Sequence, residues 1–334
     1  MAGKSDTIGS MDMFILRPDP TGYSGLEDQL RKVLRTSVLR PAGLSKGGLI
    51  SHCQSFDTDR GRVFVKTHAG PQAATMFSGE VASLKAIRET GAIRVPEPIT
   101  MTELPTGGAI LIMRHLQMQN ISRFAGALGD QLADLHLHNL TMLKKDQKQR
   151  GKIGRCPADA RGVDRFGFHT VTCCGYIPQV NEWQEDWVTF FTAQRLQPQV
   201  SLIEKDYGDR TLRGLWSELQ LKVQNAFKDT AIVPSLLHGD FWEGNVAEDD
   251  AGPLLFDPGC FYGHSEYELS VGDMFGVHCS EFYSAYHRKI PRAPGFGTRH
   301  RLYQLFHCFN NWNHFGPEFR ESTVTHMRSL LDVL

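Results

Sequence analysis

Three polar residues in one stretch define the chemistry open to this chain. In LLHGDFWEGNVAEDDAGPLLFDP, residues 236–258, Asp240 closes a His-Gly-Asp turn, Asn245 follows five positions later, and Asp257 follows twelve after that. An acid can orient an attacking hydroxyl and take its proton. An amide and a second acid can hold Mg²⁺ against the phosphates of a nucleotide. The residue types and their spacing therefore point to phosphoryl transfer.

Such residues work only if the chain holds them still. Apolar Leu236 and Leu237 precede the turn, Gly252 and Pro253 mark a second turn, and the apolar run Leu254–Phe256 leads into Asp257. The pattern reads loop, short strand, turn, short strand, loop. Earlier in the chain, Lys66 ends the alternating run Arg62–Lys66, a predicted strand. A helix is predicted over 73–89. There Phe77, Leu84 and Ile87 lie three before, four after and seven after Glu80, on its own face. A glutamate on an apolar helix face is costly unless paired, and the strand lysine is its natural partner. Lys66 and Glu80 are thus expected to form the ion pair of a phosphate-binding front lobe. Gly43, Gly47 and Gly48 punctuate the loop GLSKGGLISHCQSF, without a clean GxGxxG. The strand Ala109–Met113 runs into ILIMRHL, where Arg114, His115 and Leu116 are expected to present backbone groups to an adenine.

The rest of the chain supplies the outline. A short helix is expected over 26–39 and an exposed loop over 144–165. Helices are expected around Leu128–His136, over 183–196 and 199–226, and from Ser265 on, where Ser265 and Glu268 read as a capping box. His238 reads as a holder of its turn and His136 as a core histidine. Trp242 reads as either a sugar floor or core. His314 reads as core, with a substrate-facing role as the lesser alternative. A β-rich front with one main helix, joined to a larger and mostly helical rear, is an α+β bilobal protein-kinase-like fold. Its divisions are a loose leader over 1–25, an N-lobe over 26–116 and a C-lobe over 117–334.

Composition narrows the class. The 334 residues carry a formal net charge of −1, which gives no drive towards nucleic acid or an anionic membrane. The seven cysteines form no CxxC pair, and the fourteen histidines form no HExxH, so reduced thiols in the cytoplasm are expected. No apolar run is long enough to span a bilayer, and the N-terminus has no signal-peptide core.

Long segments carry a resemblance. LLHGDFWEGNVAEDDAGP, FDPGCFYGHSEYEL, FGFHTVTCCGYIPQVNEWQEDW, AYHRKIPRAPGF and DTDRGRVFVKTHAGPQAATMFSGEVASLKAI resemble the fructosamine-3-kinase and ketosamine-3-kinase family. That family is related to aminoglycoside phosphotransferases and choline kinases. The resemblance implies an ATP- and Mg²⁺-dependent enzyme that phosphorylates the 3-hydroxyl of ketosamines: fructosamine, ribulosamine or psicosamine adducts on glycated protein lysines, or small ketosamines. It makes Asp240 the catalytic base, Asn245 and Asp257 the metal ligands, and Lys66 and Glu80 the ion pair. Two readings stay open beside it: a chain of this outline that binds ketosamines or a partner without turnover, and a kinase for another small hydroxylated amine. The chain departs from the family pattern at Phe241, Glu243, Gly259 and Arg114. In the phosphate loop, Leu49 stands where the family has cysteine and Cys53 where it has glycine. Weaker ATP binding is expected from that last change, because glycine reaches backbone conformations that a Cβ obstructs.

Overall fold

In β3 (Gly61–His68) successive side chains point to opposite faces of the sheet, and this fixes where the lysine goes. Val63 and Val65 turn to an outer cluster with Leu30, Phe56, Ile110 and Ile112. Phe64 packs on the main core instead, and Lys66, two residues on, shares its face. The computed structural model describes residues 25–44, 51–105, 107–150, 161–228, 230–276 and 279–334. The expected leader therefore lies almost wholly outside the described residues, as do Gly47, Gly48 and Leu49.

The front is an antiparallel five-stranded sheet in the order β1-β2-β3-β5-β4. Its strands are β1 (Leu39–Leu44), β2 (His52–Thr58), β3, β4 (Pro98–Glu103) and β5 (Ala109–Arg114). Helix α1 (Leu26–Leu34) covers the outer face through Leu30. Helix α2 (Ala73–Thr90) covers the inner face with Phe77, Leu84 and Ile87. The helix expected over 26–39 stops early: Arg35 takes a left-handed conformation at φ 50°, and Leu39 already belongs to β1. Strand β4, which the sequence did not reveal, opens on Pro98 at the edge of the sheet, where a missing N–H is tolerated.

Behind the sheet, α3 (Ala125–Arg150) runs on through 144–150, where a loop was expected. A hairpin of β6 (Thr172–Cys174) and β7 (Ile177–Gln179) follows. A near-continuous helical stretch comes next: α4 (Trp187–Phe190), a π-helical turn over Phe191–Leu196, and α5 (Gln197–Tyr207). Helix α6 (Arg210–Lys222) completes this part. Strand β8 (Ser235–Leu237) leads into the Asp240 turn and pairs with β11 (Phe261–Gly263), while β9 (Val246–Asp249) pairs with β10 (Gly252–Leu255). Helices α7 (Ser265–Met274), α8 (Ser280–Lys289), α9 (Phe296–Phe315) and α10 (Arg320–Leu331) close the rear. Helix α3 packs along α8, and α7 along α9, around a core rich in aromatic rings.

Candidate active site

The Asp240 turn is held from below by a carboxylate. Glu268 of α7, fully buried, accepts the backbone N–H groups of His238 and Gly239, the second at 3.0 Å. Glu268 is therefore not half of a capping box. Helix α7 does begin at Ser265, but its N-cap is His264 and no side chain caps it. The S-x-x-E spacing marked the helix start correctly and misassigned the carboxylate. Gly239 adopts φ 86° with its Cα against the carbonyl of Gly259, so a side chain there would meet backbone. His238 holds the turn as expected: its Nε2–H donates to the Phe256 carbonyl at 2.9 Å, and its Nδ1 accepts the Asp240 amide at 3.3 Å. Burial lowers the His238 pKa, in keeping with this neutral tautomer.

Asn245 sits on a short 3-10 turn that leads into β9, and its Nδ2 donates to the Asp240 carboxylate at 2.8 Å and to the Asp240 carbonyl at 2.9 Å. With the nitrogen committed in this way, the amide oxygen is the atom left to face a cation. Burial pushes the Asp240 carboxyl up to about 7. Hydrogen bonds from Asn245 and Trp242 pull it down, and the charges of Asp257 and Glu268 add to the rise.

Asp257 stands at φ 55°, one of two non-glycine residues with positive φ among those described. Such a conformation is uncommon and persists where the surroundings impose it. It aims the carboxylate at Lys66, whose Nζ lies 3.0 Å from Asp257 Oδ1 and 2.8 Å from Glu80 Oε2. The predicted Lys66–Glu80 pair is thus present, and Lys66 also reaches the end of the Asp257 strand. Burial opposes a charged Lys66, but the two carboxylates outweigh it and raise its pKa. Helix α2 is fixed at two further points. Gly79 lies against the Val171 carbonyl, and Ser83 Oγ accepts the Cys260 amide at 3.0 Å while donating to the Gly79 carbonyl at 2.8 Å.

At the hinge, the Arg114 amide donates to the Glu97 carbonyl at 2.9 Å and the His115 amide to the Arg62 carbonyl at 3.3 Å. Leu116 N–H makes no backbone bond among the described residues. Arg114 points outward and pairs with Glu97 at 2.7 Å. Among the described residues, no three His, Cys, Asp or Glu side chains converge as a metal site, and no helix is long and apolar enough to cross a membrane.

The Fructosamine kinase family pattern matches residues 28–333. The chain belongs to the fructosamine kinase family. It is 53% identical to the ketosamine-3-kinase of Mus musculus over 307 residues, which cover 91% of this chain and 99% of the mouse protein. A provisionally named fructosamine-3-kinase from Haemophilus somnus superposes with a TM-score of 0.74 at 20% identity, over 92% of this chain and 97% of that one. Aminoglycoside phosphotransferase APH(4)-Ia, in a complex with ADP and hygromycin B, superposes at 0.54 and 16% identity, over 92% and 97% of the two chains.

Two departures from the fructosamine kinase pattern now have a physical reading. Gly259 lies against the carbonyl of Cys173, so a side chain there would meet backbone unless the β6–β7 hairpin moves. Cys53 does not occupy a turn. It lies in β2 directly across from Lys66, buried, with no positive φ. Position 53 therefore needs no glycine conformation, because the β2 ladder already includes His52. The residue whose part in the site sequence reasoning misread is Glu268. Its signal, a buried acid one turn into α7, cannot be told from a cap without the tertiary contact. His314 is no substrate ligand: its Nδ1–H donates to the Asn310 carbonyl at 2.8 Å and its Nε2 accepts the Tyr176 amide at 3.2 Å.

Proposed function

We propose that this fructosamine kinase transfers the terminal phosphoryl group of ATP to the 3-hydroxyl of ketosamines borne by glycated protein amines. The observation that carries the reading is the convergence of two sets of contacts: Glu80, Lys66 and Asp257 in one, Asp240 and Asn245 in the other, with the Phe256 amide beside Asp257 donating to the Asn245 carbonyl at 3.1 Å. Asp240 takes the proton of the 3-hydroxyl as O3 bonds to phosphorus and ADP departs. Asn245 keeps the Asp240 carboxylate in one orientation. Lys66 pairs with the phosphates, and Glu80 holds the lysine end in place. Leu116 N–H, with the carbonyl of Arg114, meets the adenine edge, and His115 spans them.

The donor set fits a hard cation: one half-exposed carboxylate, Asp257, and one amide oxygen, Asn245, is what Mg²⁺ takes from a protein when phosphates supply the rest. Bound Mg²⁺–ATP supplies the phosphoryl group and offsets its charge. The phosphate ester formed at C3 lies next to the C2 ketone, so enolisation towards C1 expels phosphate and leaves an imine, which water hydrolyses to free the amine. We place the work in the cytoplasm, with a division between the lobes after residue 116. The described cysteines, all without disulfides, support that compartment.

A phosphate-transfer assay with Mg²⁺–ATP against a ketohexose-lysine and a ketopentose-lysine tests the reading. Transfer to one or both is expected. Transfer to neither, with purified and folded protein, sinks it.

A further inference from the structure

The loop between Asp240 and Asn245 ends in a patch that the transfer chemistry does not use. Trp242 is half-buried, with its ring laid over Gly244. Phe275, just past the end of α7, packs edge-on to it with ring centroids 6.4 Å apart. Between the two rings' backbones runs Glu243, whose amide donates to the Phe275 carbonyl at 3.3 Å and whose Oε2 rests against Gly276. Glu243 is exposed and has no cationic partner among the described residues. A solvent-facing carboxylate flanked by two aromatic rings has the chemistry of an ammonium site: charge from the acid and ring faces from the aromatics.

We propose that Glu243, with Trp242 and Phe275, receives the secondary ammonium of the ketosamine and so sets the preference for amine-bearing ketoses over neutral ones. The inference rests on the ketosamine reading above. In a ketosamine the nitrogen is four bonds from O3, through C1, C2 and C3. With O3 at Asp240, the nitrogen must lie close by on the side from which the substrate entered. On a protein substrate the lysine stem trails outward from that nitrogen, so the ammonium lies at the rim of the site rather than its floor. Glu243, three residues from Asp240 and exposed, is at that rim. The half-buried rings give the C1 methylene and the stem an apolar wall, while the carboxylate stays hydrated until substrate arrives. The same charge disfavours a ketose 1-phosphate or a 1-carboxylate at this place.

The test compares two ketohexoses, one with a butylamino group and one with a butyl ether at C1. Their dissociation constants are measured by calorimetry with AMP-PNP and Mg²⁺ present, and kcat/KM is measured with ATP. In the unaltered chain the amine is favoured, and the preference falls as pH rises through the pKa of the amine. Glu243→Gln reduces the preference ratio about fivefold, the upper range for an exposed ion pair, and Glu243→Asp restores part of it. An unchanged ratio in Glu243→Gln, or equal weakening of amine and ether, overturns the inference. The calorimetry needs no turnover. Glu243-dependent binding of the amine without any phosphate transfer therefore overturns the kinase reading alone. Efficient transfer with a ratio indifferent to Glu243 overturns this inference alone. Binding of neither ketose overturns both.

Discussion

Asp240 can act as a base only while it is ionised, and its surroundings make ionisation costly. Burial holds its carboxyl at about 7 in the free protein, against the hydrogen bond from Asn245. The protonated form that dominates below this value cannot take a proton from the substrate, so kcat/KM should rise through about pH 7 and level above it. The limb should vanish in Asp240→Asn, along with about 10²–10⁴ of the rate. A pH profile of that variant with unaltered slope would remove Asp240 from the proton path. Lys66 poses a different question, since it is buried between two carboxylates at 2.8 and 3.0 Å. Lys66→Met leaves Glu80 facing Asp257 without a cation, and breaking a buried pair in this way costs about 3–5 kcal/mol. Adding Glu80→Gln should recover much of the melting temperature but none of the activity. If the double variant melts no higher than the single one, the pair is not what holds α2 to β3.

The elements that carry these residues differ in how much of their placement is local. Helix α2 was legible because its core face and its buried glutamate follow from spacing alone, and β3 because its side chains alternate. The stretch around Asp240 was legible for the same reason: apolar runs and turn residues bracket each acid. Strand β4 was not, since Pro98 and a half-exposed pattern resemble a connection, and its strand character comes from pairing with β5. The β6–β7 hairpin was hidden because its role is backbone approach to Gly79 and Gly259, which leaves no pattern in side-chain type. Glutamates deceive in a similar way. Glu248 of β9 is fully buried and accepts the amides of Ser122 and Phe124 at 2.9 Å each, and that of Arg123 at 3.3 Å. It holds the turn that leads into α3 from another element, and no local spacing announces this. Those amides hold its carboxyl at about 2 against the cost of burial. Its contribution is therefore present above the ordinary glutamate range and fades as pH falls from there towards 2. Glu248→Gln should destabilise the chain by about 2 kcal/mol at neutral pH, the scale of a lost charge-assisted hydrogen bond. The gap to the unaltered protein should close in acid. Equal denaturation midpoints at neutral pH would show that the turn into α3 needs no carboxylate from β9.

Across the whole molecule the front sheet and α2 meet the rest of the chain at two junctions, and the two are built differently. On one side, Lys66 to Asp257 and Ser83 to Cys260 tie the sheet and α2 to the strands that follow Asp240. On the other, the segment between α2 and β4 is bolted to the β9–β10 hairpin. Arg94 makes two contacts of 2.6 Å to the Asp249 carboxylate, and its carbonyl accepts the Leu255 amide at 2.9 Å. The Arg94 guanidinium holds the Asp249 carboxyl down at about 2, so the pair stays charged throughout the physiological range. The hinge strand leaves β5 beside this bolt, and Gln119 exchanges backbone hydrogen bonds with Glu248 of β9. An opening of the proposed lobes should therefore pivot about Arg94 and the 114–119 segment, with closure registered at Lys66. The Arg94 side chain is partly exposed, so the pair itself contributes no more than about 1 kcal/mol to stability. Its larger effect is on geometry, because a loosened pivot spreads the distance between the hinge and Asp257 over more conformations. Fewer of them suit adenine and phosphates together. Arg94→Ala should therefore raise the KM for ATP several-fold while changing the ketosamine KM little, since Asp240, Trp242 and Glu243 all belong to the rear lobe. Arg94→Lys, which keeps the charge but loses the two-point contact, should fall between. If both KM values rise in parallel, or the melting temperature drops far enough to account for the loss, Arg94 serves overall stability and not the pivot.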